Sequence, residues 1–291
     1  MTNVSEYAWV NGGIAPRESG APSIASISFH LGLGVFDGVM AYWNADHHHL
    51  HEAREHLQRF VAGAARMEMA VPWSVDDLLE GTMDLLSTVG PGTSYIRPIA
   101  YRRAPELWVT GSKTRPVDVS IFAVRLEGRR ELGAPLTCHI SSVERISSAA
   151  FPAQTKVSGS YVNSFHARNL AERAGFDDAI MLDRHGFVAE ASAANVFFIS
   201  HDRLYTPKMN EEIFPGITRS YIIRLCQHLG VPVEEVPMRV SDLEAFSGAF
   251  LCSTLMEIRG ISCLGERELG TNKIDLFHDL LNGFAGQIGQ L

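Results

Sequence analysis

Two α/β-type domains with mixed sheets are what this sequence predicts, and three observations predict it. Strand-like and helix-like patterns alternate in both halves of the chain. Its 291 residues suffice for one large or two medium domains, at roughly 150 residues each. A charged stretch punctuated by Gly and Pro, RLEGRRELGAP, lies between the halves and reads as a linker. The expected division is a small N-terminal domain over residues 1–123, a linker over 124–136 and a larger C-terminal domain over 137–291.

In the first half, YAWV at 7–10 reads as a strand running into an NGG turn. Residues 52–67 set Leu57, Phe60, Val61 and Ala64 at helical spacing. Ser74 opens a second helix, because SVDD has the form of a capping box, and GPG at 90–92 stops it. YIRPIAYR and VDVSIFAVRL are rich in β-branched and aromatic residues and read as strands. In the second half, residues 161–174 form a helix closed by Gly175. DAIMLD, FVAEAS and NVFFIS read as successive strands of an antiparallel sheet. A helix then starts at GITRS and ends at Gly230, with Ile222, Leu225, Cys226 and Leu229 on its apolar face. Ser241 is expected to cap a short helix, and AFLCST to form a buried strand.

Composition narrows the function. Hydrophobic residues make up 46% and charged residues 20%, ordinary values for a chain with a packed core. The formal net charge of −8 argues against nucleic acid or an anionic membrane as partner. No window approaches about 18 apolar residues, so no membrane span is expected. The start MTNVSEYAWV lacks the basic and apolar runs of a secretory signal. Four dispersed cysteines, Cys138, Cys226, Cys252 and Cys263, read as reduced core residues. The expectation is a soluble, cytoplasmic protein.

Any chemistry needing an amine has four candidates, since only Lys113, Lys156, Lys208 and Lys273 are lysines against 21 arginines. Three lie in polar, turn-like settings. Lys156 sits in FPAQTKVSGSYVNS, among small and apolar residues, where partial desolvation would suit an amine to Schiff-base chemistry. A surface lysine beside a turn is the competing reading. The run DHHHLHEAREH carries His47, His48, His49, His51 and His56, but no metal-binding spacing such as HExxH, and HHH reads as a solvated loop. No metal is expected. PGITRS at 215–220 enters a helix with a threonine, so it is either an anion site or an ordinary capped start. CST at 252–254 offers two hydroxyls at a strand end.

Taken in order, seven motifs resemble the class IV (fold type IV) pyridoxal-phosphate aminotransferases, most closely the branched-chain amino-acid aminotransferases. They are GVFDG at 34–38, EHLQR at 55–59, YIRP at 95–98, TKVSGSY at 155–161, AEASAANVF at 189–197, PGITR at 215–219 and STLMEI at 253–258. The resemblance runs over nearly the whole chain. It implies pyridoxal 5'-phosphate as cofactor, with Lys156 joined to its aldehyde and moving the proton between Cα and C4′. It implies Glu190 at the pyridine nitrogen, Tyr161 at the phenolic oxygen and Arg59 at the phosphate. The amides of Ile217 and Thr218, with Thr254, would complete a phosphate cup. Phe36, Gly38, Tyr95, Arg97 and Leu255 would line the substrate side. The implied reaction is transamination between a hydrophobic, branched-chain-like L-amino acid and a 2-oxo acid such as 2-oxoglutarate, in a homodimer.

Several positions depart from the family pattern. Leu31 stands where a tyrosine is usual, Leu255 and Met256 where small residues are usual, and Ala194 where a glutamate is usual. The linker lacks the usual aromatics. These departures leave open a D-amino-acid or (R)-amine aminotransferase, or an aminodeoxychorismate lyase, of the same fold. From other classes, a metal-dependent hydrolase built on the histidines and a non-catalytic binding module remain as competitors.

Overall fold

A computed structural model describes residues 3–108, 116–126 and 134–288. The chain divides into two units, Met1–Arg129 with Thr155–Gly159, and Arg130–Gln154 with Ser160–Leu291.

The first unit is built on an antiparallel sheet. Its strands are β1 (Asn3–Val4), β2 (Tyr7–Val10), β3 (Gly13–Pro16), β4 (Val35–Phe36), β5 (Val39–Asn44), β6 (His47–His51), β7 (Ser94–Tyr101) and β8 (Asp118–Arg125). The order is β3-β2-β8-β7-β5-β6, with β1 on β8 and β4 on β7. β2 and β3 form a hairpin across the expected NGG turn. A one-turn helix α1 (Ile27–His30) precedes β4, and α2 (Ala53–Arg66) and α3 (Val75–Val89) pack against the sheet. α2 buries Leu57, Phe60 and Ala64, and α3 buries Leu78, Leu85 and Leu86. The reciprocal Ser74–Asp77 capping box starts α3, as the sequence predicts. Successive residues of β7 face opposite ways. Ile96 and Ala100 are fully buried, and Tyr95 and Arg97 project from the other face.

The second unit holds a mixed sheet with the strands β9 (Leu136–Ile140), β10 (Asp178–Leu182), β11 (Val188–Ala191), β12 (Asn195–Ser200), β13 (Arg203–Pro207), β14 (Val233–Val236), β15 (Gly248–Ser253), β16 (Glu257–Leu264) and β17 (Arg267–Glu268). Their order is β11-β10-β9-β16-β15-β12-β13-β14, with β17 on β16. β9 runs parallel to both its neighbours, and β13 parallel to β14. One face carries the core of Leu136, Ile180, Val196, Phe198, Leu251 and Ile261. On the other face Phe197 stacks on Phe250 at 5.1 Å, and Phe250 meets Phe277 of α6 (Asp275–Gln287). α4 (Tyr161–Arg173) lays Ala167 and Ala171 on Ala179 and Met181 of β10. α5 (Ile217–Leu229) ends at Gly230, in the left-handed conformation expected of a terminating glycine.

The structure corrects the sequence reading at several points. NVFFIS does not follow FVAEAS in the sheet: β12 lies between β15 and β13, while β11 is an edge strand. Asn195–Ile199 are all buried, so the strand needs partners on both sides. The histidine run is the strand β6, paired with β5, and not a solvated loop. Ser241 caps nothing; it lies inside a 3-10 turn over Val240–Ala245 that is anchored by Asp242 on Arg239 N–H. Val124 and Arg125 finish β8 and Leu136 opens β9, while 127–133 of the expected linker lie outside the described residues. Residues 155–159 group with the first unit instead of with 137–291, because their backbone pairs with residues 32–36 of that unit.

Candidate active site

In the first unit, that pairing places the lysine. Phe36 N–H donates to the Lys156 carbonyl at 3.0 Å, Ser158 N–H to Gly34 O at 2.7 Å and Gly159 N–H to Gly32 O at 3.0 Å. Lys156 therefore lies beside the GVFDG strand although 120 positions separate it from Phe36. Its Nζ is 5.5 Å from the centroid of the Phe36 ring. Lys156 is half-buried, whereas Lys208 and Lys273 are exposed and Lys113 lies outside the described residues.

Phe36 also meets Arg97, whose guanidinium carbon is 4.6 Å from the Phe36 ring and 5.2 Å from the Tyr95 ring. Such a cation over two aromatic faces is held by their quadrupoles. Arg97 Nη2 donates to Tyr95 Oη at 3.0 Å, and its buried Nε has no hydrogen-bond partner. A buried guanidinium donor left in this way suits a carboxylate ligand. Gly38 faces the same tyrosine: a Cβ there would lie 1.8 Å from Tyr95 Oη. Phe36, Gly38, Tyr95, Arg97 and Lys156 thus form one cluster.

Arg59 lies on α2 and is bound by Asp37, the residue between Phe36 and Gly38. Its Nε donates to Asp37 Oδ2 and its Nη2 to Asp37 Oδ1, each at 2.8 Å. His56 Nδ1 reaches the same Oδ1 at 2.7 Å. Asp37 and His56 are each only 1% exposed. Burial alone would raise the Asp37 carboxyl, but Arg59 and the hydrogen bonds from His56 and Arg59 hold it far below the usual carboxylate range. Burial pushes the His56 imidazole down, outweighing the attraction of Asp37, so His56 is neutral at pH 7. Sequence reasoning gave Asp37 no role of its own and met His56 only as a member of the histidine run.

In the second unit, Glu190 on β11 is 4% exposed. Arg145 Nε donates to its Oε1. Its Oε2 accepts from Asn195 Nδ2 at 3.1 Å and from Phe214 N–H at 3.2 Å. Asn195 Nδ2 also donates to Phe214 O at 3.1 Å, which ties the carboxylate to the turn leading into α5. At that turn Gly216 is the N-cap and no side chain caps the helix. The ordinary reading of PGITRS, a threonine-capped start, is therefore not what forms. A Cβ at Gly216 would sit 2.0 Å from Asn195 Oδ1, so only glycine lets this backbone approach so closely. The amides of Ile217 and Thr218 open the helix, where the backbone dipole favours an anion.

Thr254 and Leu255 lie in the turn between β15 and β16, and Leu255 is exposed. Asn195 pairs with Cys252, two positions before Thr254. Tyr161 opens α4. Arg145 and Asn195 also escaped the sequence reading. Among the described residues no group of three or more His, Cys, Asp or Glu could hold a metal ion, and no helix is long and apolar enough to cross a membrane.

Each unit holds groups that suit a part of a phosphorylated pyridine aldehyde. The uncapped α5 start, with a glycine whose Cβ position is filled, suits a phosphate. The buried carboxylate, ringed by donors, suits a cationic ring nitrogen, and the half-buried lysine suits an aldehyde.

Comparison with known proteins identifies the family. The family model for amino-transferase class IV matches residues 34–264. A protein of Aquifex aeolicus named as a probable branched-chain-amino-acid aminotransferase is 34% identical over 274 residues, covering 92% of this chain and 88% of that one. The branched-chain-amino-acid aminotransferase of Escherichia coli is 27% identical over 275 residues, covering 94% and 89%. Among solved structures, the branched-chain aminotransferase of Thermoproteus uzoniensis with norvaline is similar at a TM-score of 0.92 and 28% identity, over 98% of this chain and 96% of that one. The PLP form of the Thermobaculum terrenum branched-chain amino acid aminotransferase is similar at a TM-score of 0.91 and 27% identity, over 100% and 96%.

Proposed function

The chain belongs to the class IV aminotransferases, and on that premise we propose that it catalyses pyridoxal 5'-phosphate-dependent transamination between a branched-chain L-amino acid and a 2-oxo acid such as 2-oxoglutarate. When bound, the cofactor supplies an aldehyde that joins an amine and a ring that accepts the electron pair left at the substrate Cα. Lys156 would hold that aldehyde, and its amine would move the proton between the substrate Cα and the C4′ carbon. Glu190 would hold a proton on the ring nitrogen, and Arg145, Asn195 and Phe214 N–H keep its carboxylate in place. Arg59 and the Ile217 and Thr218 amides, with Thr254, would hold the phosphate. Tyr161 orients the phenolic oxygen. Phe36, Gly38, Tyr95 and Leu255 line the hydrophobic substrate, and Arg97 takes the second carboxylate of the acceptor acid.

The observation that carries this reading is Lys156 held against Phe36 beside Arg97 and Tyr95. It brings an amine, an apolar wall and a carboxylate-binding cation into one cluster. The relatives and structures described above are named as branched-chain aminotransferases, so the D-amino-acid, (R)-amine and lyase readings are not favoured. The same reading takes the enzyme as a cytoplasmic homodimer of two-domain subunits, which light scattering after size exclusion tests. Activity is tested by the absorbance of the purified protein. A band on the order of 410–430 nm should bleach with L-leucine and be missing in Lys156→Ala. Turnover of (R)-1-phenylethylamine but not L-leucine would overturn the proposal, as would activity lost to a chelator but kept in Lys156→Ala.

A further inference from the structure

Asp37 does more than neutralise one arginine. Its Oδ1 accepts from Gly38 N–H at 2.8 Å as well as from Arg59 and His56, and its own N–H donates to Pro98 O at 3.1 Å. Its carboxylate takes the Nε–Nη2 edge of Arg59, and the two parallel bonds fix the plane of this guanidinium. Arg59 belongs to the long, flexible side chains that lose much rotamer freedom on being fixed, and Asp37 fixes it before any ligand arrives. The neutral His56 packed behind the carboxylate adds a hydrogen bond without competing charge. The same Asp37 oxygen holds the backbone of Gly38, which in turn lies against Tyr95.

We propose that Asp37, backed by His56, is a positioning residue that presets Arg59 for the cofactor phosphate and sets the Gly38 backbone on the substrate side. The inference rests on the assignment of Arg59 to the phosphate. Cofactor-stripped, full-length protein would be titrated with pyridoxal 5'-phosphate and with pyridoxal, followed by absorbance. Pyridoxal reports the amine and ring contacts alone, so the ratio of the two affinities isolates the phosphate grip. Asp37→Asn should weaken pyridoxal 5'-phosphate binding on the order of ten- to one-hundred-fold and leave pyridoxal within about two-fold. In an Arg59→Gln background, Asp37→Asn should add little, because its effect passes through the missing guanidinium. His56→Asn, a milder change, should lower the same ratio by about three-fold and serves if Asp37→Asn does not fold. KM for L-leucine should also rise in Asp37→Asn saturated with cofactor.

Equal losses for pyridoxal 5'-phosphate and pyridoxal would show a merely structural role and overturn the proposal. So would full additivity with Arg59→Gln, or an unchanged ratio in both single variants. Failure of the underlying assignment gives a different result: Arg59→Gln itself would leave the ratio unchanged.

Discussion

Replacing Gly38 by alanine tests the proposed substrate side of the cluster with a single methyl group. The new Cβ would lie 1.8 Å from Tyr95 Oη, 2.4 Å from its Cζ and 2.8 Å from its Cε2. Carbon atoms in contact sit about 3.5–4.0 Å apart, so the phenol must retreat by more than about 1 Å. Tyr95 is buried, and retreat also breaks its hydrogen bond from Arg97. Gly38 has an ordinary negative φ, so the whole effect comes from side-chain contact. Overpacking of this kind costs about 1–3 kcal/mol. Spent on the substrate-bound state, that lowers kcat/KM by about 5- to 150-fold. Steady-state assays with L-leucine and 2-oxoglutarate measure the loss, and absorbance of the bound cofactor provides the control. The reasoning is refuted if kcat/KM stays within two-fold, or if cofactor retention falls in parallel.

Three further outcomes follow from the geometry. Arg145→Met leaves the buried Glu190 carboxylate without its ion partner, at a cost of about 3–5 kcal/mol, so the thermal midpoint of cofactor-free protein should fall on the order of 10 °C; an unchanged midpoint would remove Arg145 from the account. Gly216→Ala forces a methyl onto Asn195 Oδ1 and should weaken pyridoxal 5'-phosphate by about ten-fold, read by dialysis of the holoenzyme. The third outcome concerns acid. His56 and Asp37 both have their pKa lowered by folding, so the unfolded chain binds more protons and stability rises with pH. Their contributions are complete above about pH 6.5 for His56 and about pH 4 for Asp37 and are lost below those values. Urea midpoints between pH 7.5 and 5.5 should therefore fall more in the wild type than in His56→Asn; equal slopes contradict the argument.

The elements with strong local signals were readable from sequence. The capping box at Ser74, the NGG hairpin and the glycine after α5 act over a few residues, where spacing is informative. Strand order was not readable. NVFFIS reads the same whether its neighbour is FVAEAS or GAFLCS, and the register of β12 on β15 is a long-range pairing with no local signal. The candidate chemistry divides in the same way. Lys156 and the PGITRS turn stand out by local composition, and Glu190 and Arg59 by motif. Asp37 and Arg145 act through partners 22 and 45 positions away, a distance at which sequence carries no pattern. An acid inside the otherwise apolar GVFDG was the one available hint for Asp37; Arg145 is one arginine among 21.

The bond from Phe36 N–H to the Lys156 carbonyl has a consequence for anyone redesigning specificity. On the proposed reading, the apolar side chain facing the substrate and the root of the proposed reactive amine are moored to each other, main chain to main chain. Backbone shifts made to gain room at Phe36 would drag the Lys156 amine with them and should, on that reading, degrade turnover for every substrate alike. β7 is paired with the same strand, Phe36 against Ile99, but exchanging the Tyr95 and Arg97 side chains leaves the main-chain bond between Phe36 and Lys156 in place, so remodelling for new side chains is better begun there.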